Sequence, residues 1–295
     1  MSELPPSLCY YGSYKGALQI LQHSMLPLFL ADELGDPFLP SQFSEMRFDC
    51  QDLFEKSVKY MTAAILGKSP PTGNPNHPLQ KAIRRWRGEN RFSDETEIRD
   101  SLVGLLPAMV EKQFNYAKDI HDSWLVFIKN KRILPLFENS NNPELWLLEA
   151  NRYSGVVIKF RCDEDSIFEH CSPVHYDKIP ATTVKIGDCV NQMAGEINEI
   201  ESDYQKTALT QNYQYRTQKE WRMVVDKQLD DELSISVPKG LIQSVYIGAA
   251  VARIKTENLV KTVKKIDSKI NIYQAKCADN SYEFQYQKIS DEKTE

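Results

Sequence analysis

Residues 7–26 read SLCYYGSYKGALQILQHSML, and two periods meet inside that stretch. From Ser7 to Ser13 the run is short, apolar and aromatic, the composition of a strand, and it stops at Gly12. Beyond the glycine, Ala17, Leu18, Leu21 and Met25 recur at helical spacing. Strand, turn and helix therefore open the chain.

Working outward, LPLFLADELGDPF (26–38) is a second apolar run, halted by Gly35, Asp36 and Pro37. Residues 51–119 carry a helical pattern, broken by SPPTGNPNHP (69–78), whose four prolines forbid regular structure. SWLVFIKN (123–130) is aromatic and branched and reads as a strand followed by a loop. NNPELWLLEANR is predicted to be helical, capped by Asn142, with Pro143 in its first turn and Gly155 closing it. Further strands are expected at VVIKF (156–160), VHY (174–176), KEWRMVV (219–225) and SVYIG (244–248), with a helix over 188–203. TENLVKTVKKI reads as an amphipathic helix, and NIYQAK with YEFQYQ as a closing hairpin. Strands and helices are segregated, so the expected class is α+β: a mixed, mostly antiparallel sheet with a helical layer inserted at about 51–120. One domain is expected over residues 1–295, ending in a polar tail at about 289–295.

The 295 residues, 41% hydrophobic and 26% charged, match ordinary globular composition, and the formal charge of -5 gives no global field for nucleic acid. The six cysteines form no CxxC pair, no secretory leader pattern opens the chain, and no apolar stretch reaches the length of a membrane span, so a reduced, cytoplasmic protein is expected. Phosphate-loop, dinucleotide, zinc-protease and nucleophile-elbow motifs are all missing. Cys162, His170, Cys171 and His175 match no common metal spacing, and no metal is expected. KAIRRWRGENR gathers Lys81, Arg84, Arg85, Arg87 and Arg91 around Trp86, which reads either as a solvated helical face or as a nucleic-acid contact. In the YRTQKEWRMVV strand, period two puts Gln218, Glu220 and Arg222 on one face, and on pattern alone Glu220 and Arg222 form a solvent-side ion pair.

The order LCYYGSYKGALQIL, GDPF, WLVFI, ELWLLEANRYSGVVIKF, VHY, KEWRMVV, SVYIG resembles the prokaryotic family catalogued as domain of unknown function 2971, over nearly the whole chain. That family has Asn at the Gly35 position, His-Tyr at Leu148 and Glu149, and Glu at Gln218. The same order also resembles compact ADP-ribosyltransferases. This second resemblance implies NAD as substrate, a transferase or NAD-cleaving activity and a role in bacterial conflict or phage defence. It implies a catalytic Glu220, with Gln218 helping to choose the acceptor, which is a protein or a nucleic acid. It also implies Tyr10, Tyr11 and Ser13 as dinucleotide-holding residues, with Tyr153 and Ser154 standing in for a missing middle tyrosine. An inhibitor protein is a partner of such enzymes. Beside this, Tyr10 and Tyr11 read equally as core tyrosines, Asp36 as a plain Asp-Pro turn, and the whole chain as an interaction module with a degenerate site.

Overall fold

A computed structural model describes residues 3–39, 46–68, 72–163, 165–226, 233–279 and 284–289. Pro70 and Pro71 of the proline-rich loop, the tip of the closing hairpin and nearly all of the polar tail lie outside the described residues. In chain order the elements are β1 (Ser7–Gly12), α1 (Tyr14–His23), β2 (Met25–Pro27), α2 (Cys50–Ile65), α3 (Pro78–Gly88), α4 (Glu95–Leu105), α5 (Pro107–Lys129), β3 (Lys131–Phe137), α6 (Pro143–Leu148), β4 (Val156–Arg161), β5 (Cys171–Pro173) and β6 (His175–Asp177). They continue with α7 (Ile186–Met193), α8 (Tyr204–Ala208), β7 (Thr210–Asn212), β8 (Glu220–Asp226), β9 (Ser234–Ser236), β10 (Ile242–Ile247), α9 (Arg253–Ile266), β11 (Asn271–Cys277) and β12 (Phe284–Lys288). The fold is α+β. Its residues group into two compact units, one of residues 1–39, 130–180 and 208–295, the other of residues 40–129 and 181–207.

The first unit is built on an eight-stranded sheet of order β12-β11-β10-β4-β1-β3-β8-β5. Its neighbours are antiparallel except β10 and β11, whose parallel pairing is bridged by α9, as a parallel connection requires. Alternation along β1 sends Leu8 and Tyr10 into a core with Ile158, Phe160, Trp221 and Met223, and Cys9 and Tyr11 into a second cluster with Phe137, Trp146 and Val157. Ser13 starts α1 by accepting a hydrogen bond from the Gly16 N–H at 3.1 Å, and Ala17, Ile20 and Leu21 of that helix are buried against the sheet.

The second unit is helical. Reciprocal hydrogen bonds between Asp49 and Asp52 cap α2, whose Leu53, Val58, Met61 and Ile65 pack with Ile83 and Trp86 of α3 and Val110 of α5. Here the expected strand SWLVFIKN is overturned, because residues 123–129 are the last turns of α5. Ala117, His121, Trp124 and Ile128 are buried at helical intervals while Val126 is exposed, so the register begun at Pro107 continues through the run. The strand lies just beyond, at β3, where Pro135 argues against it by sequence. Ile133 donates its N–H to the Phe29 carbonyl, and alternate residues face the same way, so Pro135 lacks its N–H on the side where the ladder with β1 is confined to Cys9 and Phe137.

Three further boundaries move. In place of the expected 188–203 helix the chain is helical over 186–193, because Gly195 enters the left-handed region and the Glu196 N–H turns back to the Asn191 carbonyl. Residues 213–218 form 3₁₀ turns ended by Lys219 at φ 49°, so the strand begins at Glu220 and Gln218 is not on its face. Helix α6 ends at Leu148, well before Gly155, and Asn151, Arg152 and Tyr153 then form a left-handed turn with φ of 48°, 54° and 64°. Each such residue costs about 1–2 kcal/mol, and the turn is held by the Arg152 and Tyr153 N–H groups donating to the Leu147 and Trp146 carbonyls. The Tyr153 carbonyl accepts from the Ala250 N–H and lies 2.1 Å from where a Cβ on Gly248 would stand. Gly248→Ala is expected to destabilise the protein by about 1–3 kcal/mol or more, read by denaturant unfolding, because the obstacle is backbone.

Candidate functional site

The polar centre of the first unit is built on the start of β8. Glu220 and Arg222, two residues apart, share a sheet face, where Arg222 Nε donates to Glu220 Oε1 at 2.6 Å and Nη2 to Oε2 at 3.1 Å. Arg222 Nη1 donates to the Ala208 carbonyl at 2.9 Å. Relative exposures of 5% for Glu220 and 1% for Arg222 correct the expected solvent-side pair to a buried one. Burial works against the guanidinium charge, yet Glu220, with Asp36 and Tyr176, holds its pKa above the ordinary arginine value.

Around this pair stand groups from five other segments. The Tyr176 hydroxyl of β6 accepts the Glu220 backbone N–H at 2.7 Å, and burial pushes its pKa up to about 12. Asp36 uses Oδ1 to accept from the Phe38 N–H at 3.0 Å, closing the GDPF turn, while its Oδ2 is buried with no hydrogen-bond partner. Glu138 Oε1 accepts from Trp221 Nε1 at 3.1 Å. Glu149, at the end of α6, keeps contact with solvent, yet its carboxyl is pushed above the ordinary range, first by the protein packed around it and then by the Glu220 charge. Burial and Glu149 together push the Tyr10 phenol up to about 12, and its hydroxyl has no hydrogen-bond partner among the described residues.

The sequence-derived residues divide accordingly. Glu220, Arg222, Asp36 and Tyr10 belong to this electrostatic cluster. Gln218 is buried at the end of the preceding 3₁₀ turn. Tyr11 is a core residue on the opposite face from Tyr10: its hydroxyl donates to the Asn139 carbonyl at 2.7 Å and its ring meets Phe137 and Trp146 edge-on, both at 5.6 Å. Ser13 is occupied as the α1 cap. Tyr153 donates to the Pro143 carbonyl at 3.1 Å, and the Ser154 hydroxyl donates to the Asn151 carbonyl at 2.6 Å. Glu149 and Tyr176 were missed as site residues. The VHY run placed Tyr176 on a strand, but no sequence signal ties either residue to Glu220.

In the second unit, Trp86 is 8% exposed, packs edge-on against Phe92 and lies under the Arg91 guanidinium. A ring so covered offers no face for base stacking, which favours the solvated-face reading of KAIRRWRGENR. No group of three or more His, Cys, Asp or Glu side chains among the described residues is placed to hold a metal ion. No helix among them is long and apolar enough to cross a membrane.

The chain matches no protein-family model, no curated protein and no solved structure.

Two outcomes test the electrostatics. Arg222→Met strands the Glu220 carboxylate in the interior and is expected to cost about 3–5 kcal/mol by denaturant unfolding. Glu149 has its native pKa above the unfolded value, so the native state binds more protons in that window and stability falls as pH rises through it. Glu149→Gln therefore melts at or above the parent temperature near neutral pH, and the difference shrinks below the ordinary carboxylate range.

Proposed function

We propose that the chain cleaves the nicotinamide N-glycosidic bond of NAD, by ADP-ribosyl transfer to an acceptor or by hydrolysis. The observation that carries this reading is a pair of unlike carboxyls: Glu220, buried and bonded through both oxygens to Arg222, and Glu149, whose pKa is raised in part by the Glu220 charge. Cleavage passes through a cationic, oxocarbenium-like state, which a fixed carboxylate stabilises without reorganising. Nicotinamide leaves with the bonding electron pair, which neutralises its ring nitrogen, so departure needs no acid. The incoming hydroxyl or water then bonds to the anomeric carbon and passes its proton to Glu149, a stronger base than an ordinary carboxylate. Tyr10, with its uncommitted hydroxyl, is the first-strand group suited to the ribose or the nicotinamide amide. Gln218 stands where the resemblance to ADP-ribosyltransferases puts the acceptor-selecting residue, and that resemblance supports a role in bacterial conflict or phage defence.

A second reading is favoured by one observation. Both Glu220 oxygens are already bonded to Arg222, as they would be in an interaction module whose polar centre is structural.

Nicotinamide release from NAD, assayed alone and with cell extract to supply acceptors, separates the two. The enzyme reading expects release that falls about a hundredfold in Glu149→Gln and at least as far in Glu220→Gln, corresponding to about 3 kcal/mol of transition-state stabilisation. Melting curves accompany the Glu220→Gln variant, since altering a buried pair costs stability. A parent protein that releases no nicotinamide under either condition establishes the interaction module instead.

A further inference from the structure

The helical unit carries a second polar feature that the proposed NAD chemistry does not use. A groove of about 740 Å³ runs beside α2, large enough for a small organic ligand. Arg47, Lys56, Lys59 and Arg99 line it, and none of the four has an ion-pair or hydrogen-bond partner among the described residues. The groove also holds three carboxylates, but each is committed. Asp52 accepts the Asp49 N–H in the α2 capping box, Glu55 accepts from Gln51 Nε2 at 3.0 Å, and Glu95 is bonded by Lys68 at 3.1 Å. With Glu95 paired to Lys68, four cations face the two carboxylates of Asp52 and Glu55, so the groove keeps an excess of positive charge.

One more side chain points the same way. Thr62 is 5% exposed in the groove wall, and its Oγ1 is buried with no hydrogen-bond partner. A helical threonine ordinarily donates to the carbonyl one turn back, and leaving the hydroxyl bare costs free energy until a ligand or water engages it. Phe48, Val58 and Ile186 add an apolar wall to the same groove. Four uncommitted cations, an unsatisfied hydroxyl and an apolar surface match the parts of a nucleotide: phosphates, ribose hydroxyls and a flat base.

We propose that this groove binds a nucleoside di- or triphosphate, with the phosphates on Lys56, Lys59, Arg47 and Arg99 and the base against Phe48 and Ile186. The site lies wholly within the helical unit and stands or falls independently of the Glu220 chemistry.

Titration calorimetry on the full chain with ADP, ATP, inorganic pyrophosphate and adenosine tests it. ATP and ADP are expected to bind, pyrophosphate more weakly, and adenosine without measurable heat. The double variant Lys56→Ala/Lys59→Ala weakens ATP binding about tenfold or more, and its binding depends less on salt. Thr62→Val weakens binding while holding or raising the melting temperature, because it exchanges an unpaired hydroxyl for a methyl group. Lys81→Ala/Arg85→Ala, which removes the same charge from α3 outside the groove, leaves ATP affinity unchanged. The proposal is overturned if millimolar ATP gives no heat, or if the α3 variant weakens binding as much as the groove variant. It is equally overturned if pyrophosphate binds as tightly as ATP, or if a single-stranded RNA oligonucleotide binds the groove more tightly than either nucleotide.

Discussion

A buried arginine is the constraint around which the sheet unit is arranged. Removing a guanidinium from water costs several kcal/mol unless its charge is answered, and Arg222 is answered by both Glu220 oxygens and the Ala208 carbonyl. Each answer fixes something else. Glu220 must begin β8 with its side chain on the Arg222 face, which is why the chain turns sharply at left-handed Lys219 immediately before it. Ala208 must present its carbonyl at the end of α8, and Tyr176 must meet the Glu220 N–H from β6. Segments remote in sequence are thus drawn to one charge, and Asp36 Oδ2 joins its field without a hydrogen bond of its own.

That arrangement gives two carboxyls in unlike surroundings. Glu220 is bonded through both oxygens to the buried Arg222, while Glu149, still in contact with solvent, feels the protein packed around it and the repulsion of Glu220 together. Separating the proton affinities of neighbouring acids is how one site supplies both a fixed negative charge and a proton acceptor. The same pair is also a stable structural device, so the site's chemistry turns on whether Glu220 can serve a ligand while bonded to Arg222.

Much of the sheet unit was legible because its signals are local. The strand ending at Gly12, the Asn142 cap followed by Pro143, the VVIKF run and the β10, α9, β11 succession each announce themselves within a few residues. What could not be read depended on context. SWLVFIKN is apolar on every side, so only the register inherited from Pro107 makes it helix, and Pro135 hid the strand that follows. Likewise Glu220 and Arg222 stand at strand spacing whether exposed or buried, and the neighbours that bury them, from residues 36, 176 and 208, lie far off in the chain. Glu149 looked like a helix residue in a departing motif; its importance comes from proximity to a charge many residues later.

The interleaving of the two units bears on how the protein is made. Strand β1 lies at the centre of the sheet, yet its partners are β3 and β4, and Tyr11 bonds to Asn139, 128 residues downstream. On the ribosome β1 emerges before either partner strand and waits unpaired while the whole of α2 to α5 is synthesised. Those helices rely on near neighbours and can begin to organise as they appear, whereas the sheet cannot close around Arg222 until residue 222 itself has left the exit tunnel. The segment SLCYYG, apolar and rich in strand-forming residues, therefore stays without its partners until β3 and β4 have been made, which makes it a natural point of engagement for a chaperone.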